Sequence, residues 1–234
     1  LLDTNPFYDF VKNLNIDDYN NLNNLKISSK YWKTAQQKFE EKTSNIIFKT
    51  HAANLMYGKN KYTTSTTSFG AIYLIRDPRD IPSSYSYHQE KSIDGVLNDM
   101  ISKSTTITNP KMNISVPLSS WDVHVKSWEL LETPKLIIKF EDLVNNTKKT
   151  IEVVSKFLEF LKIEFSCNNM KVENIYKSTQ FKKLKLEEEE KGYPLGTNKN
   201  FFRKGLTKNH NLNKIQIQKI LDNFESTMKK YNYL

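Results

Sequence analysis

The sequence predicts an α/β fold, a parallel sheet flanked by helices on both faces, and three observations carry that prediction. Short apolar runs, Ala71 to Ile75 and Lys135 to Phe140 among them, read as strands buried on both sides. They alternate with segments whose apolar residues recur every three or four positions, the period of a helix. No internal repeat breaks the alternation, and strands alternating with helices build parallel sheets.

Taken in order, residues 1–27 are rich in Asn and Asp with scattered Leu, Phe and Tyr, and predict an irregular, weakly ordered entry. Ser29 is placed to cap a helix over about 30–42, with Tyr31, Trp32, Ala35 and Phe39 on its apolar face. Ile46-Ile47-Phe48 predicts a short buried strand that ends at Lys49-Thr50-His51. A Thr/Ser-rich loop then leads into the strand Ala71 to Ile75. Asp77-Pro78 follows as a helix start, an N-cap with proline in the first helical position. That helix is expected to reach about Glu90, with Pro82 delaying or kinking it. Ser92 to Lys103 predicts another helix, and Thr105 to Pro117 a loop. Ser119 or Ser120 caps a helix that puts Trp121, Val125, Trp128 and Leu131 on one face. After the strand Lys135 to Phe140, Asn146 or Thr147 opens a helix with Ile151, Val154, Leu158 and Leu161 at helical spacing. Glu187 to Glu190 reads as a solvated helix face with no role. The closing helix is expected over about 213–230.

A chain of 234 residues predicts one domain, residues 1–234. Lys and Arg total 35 against 26 Asp and Glu, so 35 − 26 gives the formal charge of +9. Only Arg76, Arg79 and Arg203 are arginines, which makes them more informative than the abundant lysines. The lysines are scattered among Asn and Glu rather than drawn into a stripe, so a nucleic-acid partner is not expected. Nor is a membrane partner, since a helical span needs about 20 apolar residues and the runs here are far shorter. Cys167, the single cysteine, excludes an intrachain disulfide and a multi-cysteine metal site and suits the cytoplasm. The motifs G-x-x-x-x-G-K-[ST], H-E-x-x-H, G-x-S-x-G and G-x-G-x-x-G do not occur.

The segment Ile72 to Ser84 is the densest in chemistry. Ligands of open α/β sheets bind beyond the carboxyl ends of strands, and Arg76 stands there with a fork that matches phosphate oxygens. Ser84 lies about two turns into the following helix and can reach the same anion. The structural alternative is a bridge from Arg76 to Asp77 or Asp80. His51, at the end of its own expected strand beside Lys49, can take a proton from an alcohol near neutral pH. Arg203-Lys204-Gly205, in a loop of Gly, Pro and Asn, can wrap an anion with side chains and backbone together, the alternative being a solvated basic loop.

Arg76-Asp77-Pro78-Arg79-Asp80 with Ser84, Lys49-Thr50-His51 before them and Phe202-Arg203-Lys204-Gly205 near the end together resemble the cytosolic-type sulfotransferases. Ser120-Trp121-Asp122-Val123-His124-Val125, Phe140-Glu141-Asp142-Leu143 and Ser178-Thr179-Gln180-Phe181 are similar to further motifs of that family, in the right order. The resemblance implies a P-loop-NTPase-like, three-layer sheet. It implies transfer of a sulfuryl group from 3′-phosphoadenosine 5′-phosphosulfate (PAPS) to the hydroxyl or amine of a small-molecule acceptor, without a metal. Arg76, Ser84, Arg203, Lys204 and Gly205 would hold the 3′-phosphate, and Thr179 and Phe181 the adenine. Phe140 stands near the nucleotide where the family usually has tyrosine. His51 would be the general base and Lys49 would neutralise charge on the transferred group. Tyr85 and His124 would line the acceptor pocket.

Two departures accompany the resemblance. Gly205 is followed by Leu206-Thr207-Lys208 rather than by the family's x-x-G-D-W continuation. No counterpart of the family's opening Y-P-K-S-G loop is found, and the first residue is not Met, so the chain is expected to lack its N-terminal strand and phosphosulfate loop. Such a piece is expected to be inactive without its parent. The alternative from another class is a non-catalytic module of the same fold that binds a nucleotide or polyanion.

Overall fold

Trp32 and Ala35, three positions apart on one helix, are both buried, so the apolar face expected there is the one the fold uses. The structure, a computed structural model, describes residues 10, 14, 20–40, 47–109, 114–163, 168–192, 201–202 and 211–234. In chain order the helices are α1 (Leu25–Ser28), α2 (Trp32–Glu40), α3 (Ile81–Gln89), α4 (Ile93–Ile101), α5 (Trp121–Glu129), α6 (Phe140–Asn145), α7 (Thr147–Phe160), α8 (Asn169–Ser178), α9 (Phe181–Lys191) and α10 (Lys214–Lys230). The strands are β1 (Met56–Tyr57), β2 (Asn60–Lys61), β3 (Ala71–Ile75), β4 (Thr106–Asn109), β5 (Ile114–Pro117) and β6 (Lys135–Lys139). β3 pairs with β6 in a parallel sheet accompanied by helices, so the α/β class holds. The chain divides into two units, one of Leu1–Ala71 with Asn98–Lys135 and one of Ile72–Leu97 with Leu136–Leu234.

In the first unit Phe10, Leu22, Trp32, Ala35 and Ile114 form a buried cluster, and Tyr57 and Tyr62 pack against it. The rings of Tyr57 and Tyr62 meet Trp32 edge-on at 5.8 and 5.3 Å. Phe10 and Leu22 belong to the segment expected to be a weakly ordered entry, so part of that segment supplies core instead. Residues 105–117, expected as loop, contain the antiparallel pair β4 and β5, with Thr106 opposite Pro117 and Asn109 opposite Ile114. Alternating threonines hid the strand: the Thr108 hydroxyl meets that of Ser115 across the pair at 3.0 Å.

The strand expected at Ile46 to Phe48 is also corrected, because Ile47 is 62% exposed and residues 47–51 pair with no strand. Position 46 lies outside the described residues. Just downstream the backbone is satisfied by other means, since Ala53 donates to the Pro117 carbonyl at 2.7 Å and Asn54 to the Ser127 hydroxyl at 2.9 Å. Those two bonds anchor residues 53 and 54 without a ladder.

In the second unit Ile75, Ile138, Leu158, Ile220, Phe224 and Met228 are buried. β3 has the expected bounds but alternates in burial, with Ile72 and Leu74 at 38% and 56% exposure. The helix after it starts at Ile81 rather than at Pro78, with Pro82 in its first turn. Asp77 explains the delay. Its carboxylate accepts from the backbone N–H of Arg79, and its carbonyl accepts from the N–H of Asp80, so one non-helical turn precedes the helix. Ser84 therefore lies in the first turn of α3, not the second. α10 opens on a capping box, with Asn213 accepting from the Gln216 N–H and the Gln216 side chain accepting from the Asn213 N–H.

Candidate functional site

In the second unit Arg76 directly follows β3, and its guanidinium carbon lies 4.4 Å from the centre of the Phe140 ring. The negative face of the ring attracts the cation and holds it at the end of the strand. A phenylalanine where tyrosine was the family expectation thus acts as a seat for arginine rather than as a hydroxyl donor. Arg79 is committed otherwise. It reaches both oxygens of Asp77, through Nε at 3.0 and 3.2 Å and Nη2 at 2.6 Å, and donates to the Tyr233 carbonyl at 2.6 Å.

Glu141 ties the same region to the C-terminus, accepting from the Asp77 N–H at 3.2 Å and the Tyr233 hydroxyl at 3.3 Å. Burial, reinforced by the Glu141 charge, pushes the Tyr233 phenol far above its usual range, so it stays a neutral donor. This network holds the strand end that bears Arg76.

Thr179 caps α8, its hydroxyl donating to the carbonyls of Ile175 and Tyr176 at 2.8 and 3.3 Å. Phe181 begins α9 half-exposed and meets the Phe202 ring edge-on at 6.0 Å. The residue expected at adenine and the residue just before Arg203 are thereby brought together. Arg203, Lys204 and Gly205 themselves lie outside the described residues. Ser84 and Tyr85 are both half-buried on α3.

Sequence reasoning missed one residue here. Glu188, read as solvated, is 8% exposed and accepts from the N–H groups of Phe201 and Phe202 at 2.5 and 2.9 Å. A run of four glutamates gives no hint of which one turns inward.

In the first unit Lys49 and His51 are exposed, on a segment clamped by α5. The His51 carbonyl accepts from His124 Nε2 at 3.1 Å, and the Ala52 carbonyl from Trp128 Nε1 at 2.9 Å. Ser127 donates to the His124 carbonyl at 2.7 Å while accepting from Asn54. Thr50 shares a 2.6 Å hydrogen bond with the Tyr62 hydroxyl. A carbonyl only accepts, so neutral His124 carries its proton on Nε2 and keeps Nδ1 as an acceptor. Burial pushes the His124 imidazole below its ordinary value, partly offset by the His51 carbonyl. The arrangement presents one exposed imidazole on a braced backbone, with a second, neutral imidazole behind it. Trp128 and Ser127 were expected as core or unremarked, and their clamp on residues 52–54 was not foreseen.

Among the described residues no group of three or more His, Cys, Asp or Glu could hold a metal ion, and no helix is long and apolar enough to cross a membrane.

Comparison with known proteins bears on both halves. The sequence model of the sulfotransferase domain matches residues 3–232. Sulfotransferase 1B1 of the dog, Canis lupus familiaris, is 26% identical over 156 residues, 64% of this chain and 47% of that protein. The chain thus spans about half the length of that curated relative. The crystal structure of mouse sulfotransferase SULT7A1 complexed with PAP is similar in fold, with a TM-score of 0.52 and 20% identity over 68% of this chain and 58% of that one.

Proposed function

We propose, since the chain belongs to the sulfotransferase domain family, that it acts as a PAPS-dependent sulfotransferase on a small-molecule hydroxyl or amine. The observation that carries this reading is the seat of Arg76 on Phe140 at the end of β3, in the unit where Phe181 meets the residue before Arg203. A guanidinium over an aromatic face, an exposed ring and two further cations adjacent in the sequence fit a nucleoside with a 3′-phosphate. The mouse neighbour is complexed with PAP, which agrees with that chemistry.

When bound, the donor supplies an activated sulfuryl group. Arg76, Ser84, Arg203, Lys204 and the Gly205 backbone hold its 3′-phosphate, Thr179 and Phe181 flank the adenine, and Phe140 keeps Arg76 in place. His51 takes the acceptor's proton at a ring nitrogen as the acceptor oxygen or nitrogen bonds to sulfur and the bond from sulfur to the phosphate oxygen breaks. Lys49 offsets the negative charge that develops on the transferred group. His124 and Tyr85 contact the acceptor. Both units belong to one domain, it resides in the cytoplasm, and no metal takes part.

The test is transfer of labelled sulfate from PAPS to a panel of phenols, alcohols, amines and sugars by the intact protein. At least one acceptor is expected to be labelled, and His51→Ala to lower that rate by about a hundredfold or more. PAP binding without any transfer would favour a non-catalytic nucleotide-binding module. Full turnover by His51→Ala would remove His51 as base.

A further inference from the structure

Of the four glutamates in the acidic run of α9, the neighbours of Glu188 behave as a surface helix should. Glu187 and Glu189 approach Lys183 and Lys185 at 3.9 Å each, one turn back, in exposed pairs of little consequence. Glu188 differs in kind. It is buried, and each of its carboxylate oxygens accepts a backbone N–H, one from Phe201 and one from Phe202. A buried carboxylate is costly unless charge-assisted hydrogen bonds offset its lost hydration, and two parallel N–H groups do that while allowing one backbone direction only. Aromatic contacts hold the same two residues from the sides: Phe202 against Phe181 at 6.0 Å, and Phe201 against His88 at 5.3 Å and against Phe202 at 5.2 Å.

In the chain Phe202 runs directly into Arg203-Lys204-Gly205. We propose that Glu188 is a positioning residue for phosphate binding: its carboxylate fixes the chain at the point where that basic triplet begins. The role rests on the proposed function, in which the triplet grips the 3′-phosphate. An acidic side chain thereby serves an anion site without touching the anion. Fixing the approach in the free protein removes part of the ordering cost from the binding step, which is where the gain in affinity arises.

Calorimetric titration of the intact protein with PAP and with adenosine 5′-phosphate, which lacks the 3′-phosphate, tests this. Glu188→Gln keeps the size but sets an amide NH2 against one of the backbone N–H groups. It is expected to weaken PAP about tenfold and to leave adenosine 5′-phosphate unchanged, and to add little in an Arg203→Ala background. If Glu188→Gln binds PAP like the parent while Arg203→Ala is weakened, the positioning role is wrong and the proposed function stands. If Arg203→Ala also binds PAP unchanged, the reading of the triplet itself fails, and this inference with it. Equal weakening of both nucleotides would make Glu188 a general stabiliser and sink the inference. Should Glu188→Gln not fold, Glu188→Asp takes the same titrations, and amide exchange in the parent protein reads the clasp directly. Rapid exchange at Phe201 and Phe202 would overturn it.

Discussion

The imidazole of His124 donates from Nε2 to the backbone carbonyl of His51 across 3.1 Å. One histidine thus braces the backbone of the other, and with Trp128 holding the next carbonyl, α5 supports the segment that bears the exposed His51 ring. Rigid support matters because a reacting group displaced by about 1 Å loses on the order of a hundredfold in rate.

Removing that brace has a kinetic signature. His124→Ala is expected to lower kcat about ten- to a hundredfold, and His124→Gln, which retains an N–H donor, to recover part of the loss. Steady-state sulfate transfer measures both. A raised KM with kcat intact would make His124 an acceptor contact and nothing more.

His124 also predicts a pH dependence of stability. Burial holds its folded-state value below the ordinary 6.5, so protonation favours the unfolded chain. Its stabilising contribution is complete above about pH 6.5 and is lost as pH falls through the depressed folded value. Urea midpoints measured from pH 7.5 down to 5 are expected to decline less steeply in His124→Gln than in the parent. Identical slopes would show that His124 does not titrate in this way.

Arg76 and Arg79 stand three residues apart and are expected to fail differently. Arg79→Ala strips a buried Asp77 carboxylate, 4% exposed, of its guanidinium and frees the Tyr233 carbonyl. A loss of about 2 kcal/mol in urea unfolding is expected, with PAP affinity nearly kept. Arg76→Ala gives up the cation–aromatic contact with Phe140, worth about 1 kcal/mol, yet is expected to weaken PAP more than tenfold. Calorimetry and denaturation on the same pair of variants decide the matter, and an exchange of these two patterns would reverse the assignment.

At α10 the capping box extends beyond the helix. Gln216 accepts from the Asn213 N–H and donates to Asp94 at 3.0 Å, so it links the helix start to α4. Asn213→Ala is expected to cost about 1 kcal/mol and Gln216→Ala somewhat more, with the double variant costing less than their sum. Additive losses in chemical denaturation would separate the two contacts.

Much of the fold was legible because its signals are local. β3 and the span of α10 fall where a β-branched run and a 3–4 repeat put them, since period, caps and turn residues act within a few positions. Arg76 at a strand end was readable for the same reason. What escaped was everything settled by residues far apart in the chain. The strand expected around Ile47 is absent from the described part of that segment, where Ile47 is exposed and no partner strand pairs with residues 47–51. The pair β4 and β5 formed although the Thr- and Asn-bearing β4 looks like loop, because a partner strand and not composition turns an extended segment into a sheet.

By itself, then, the sequence determined the α/β class and the motif set that marks a sulfotransferase domain, because both are written in short-range pattern. The tertiary structure alone decided which arginine is seated on Phe140 and which is locked to Asp77, that His124 braces His51, and that Glu188 turns inward from its run. Burial is the physical reason. Whether a charge faces water or backbone amides depends on what chain returns to cover it, and no neighbouring residue in the sequence carries that information.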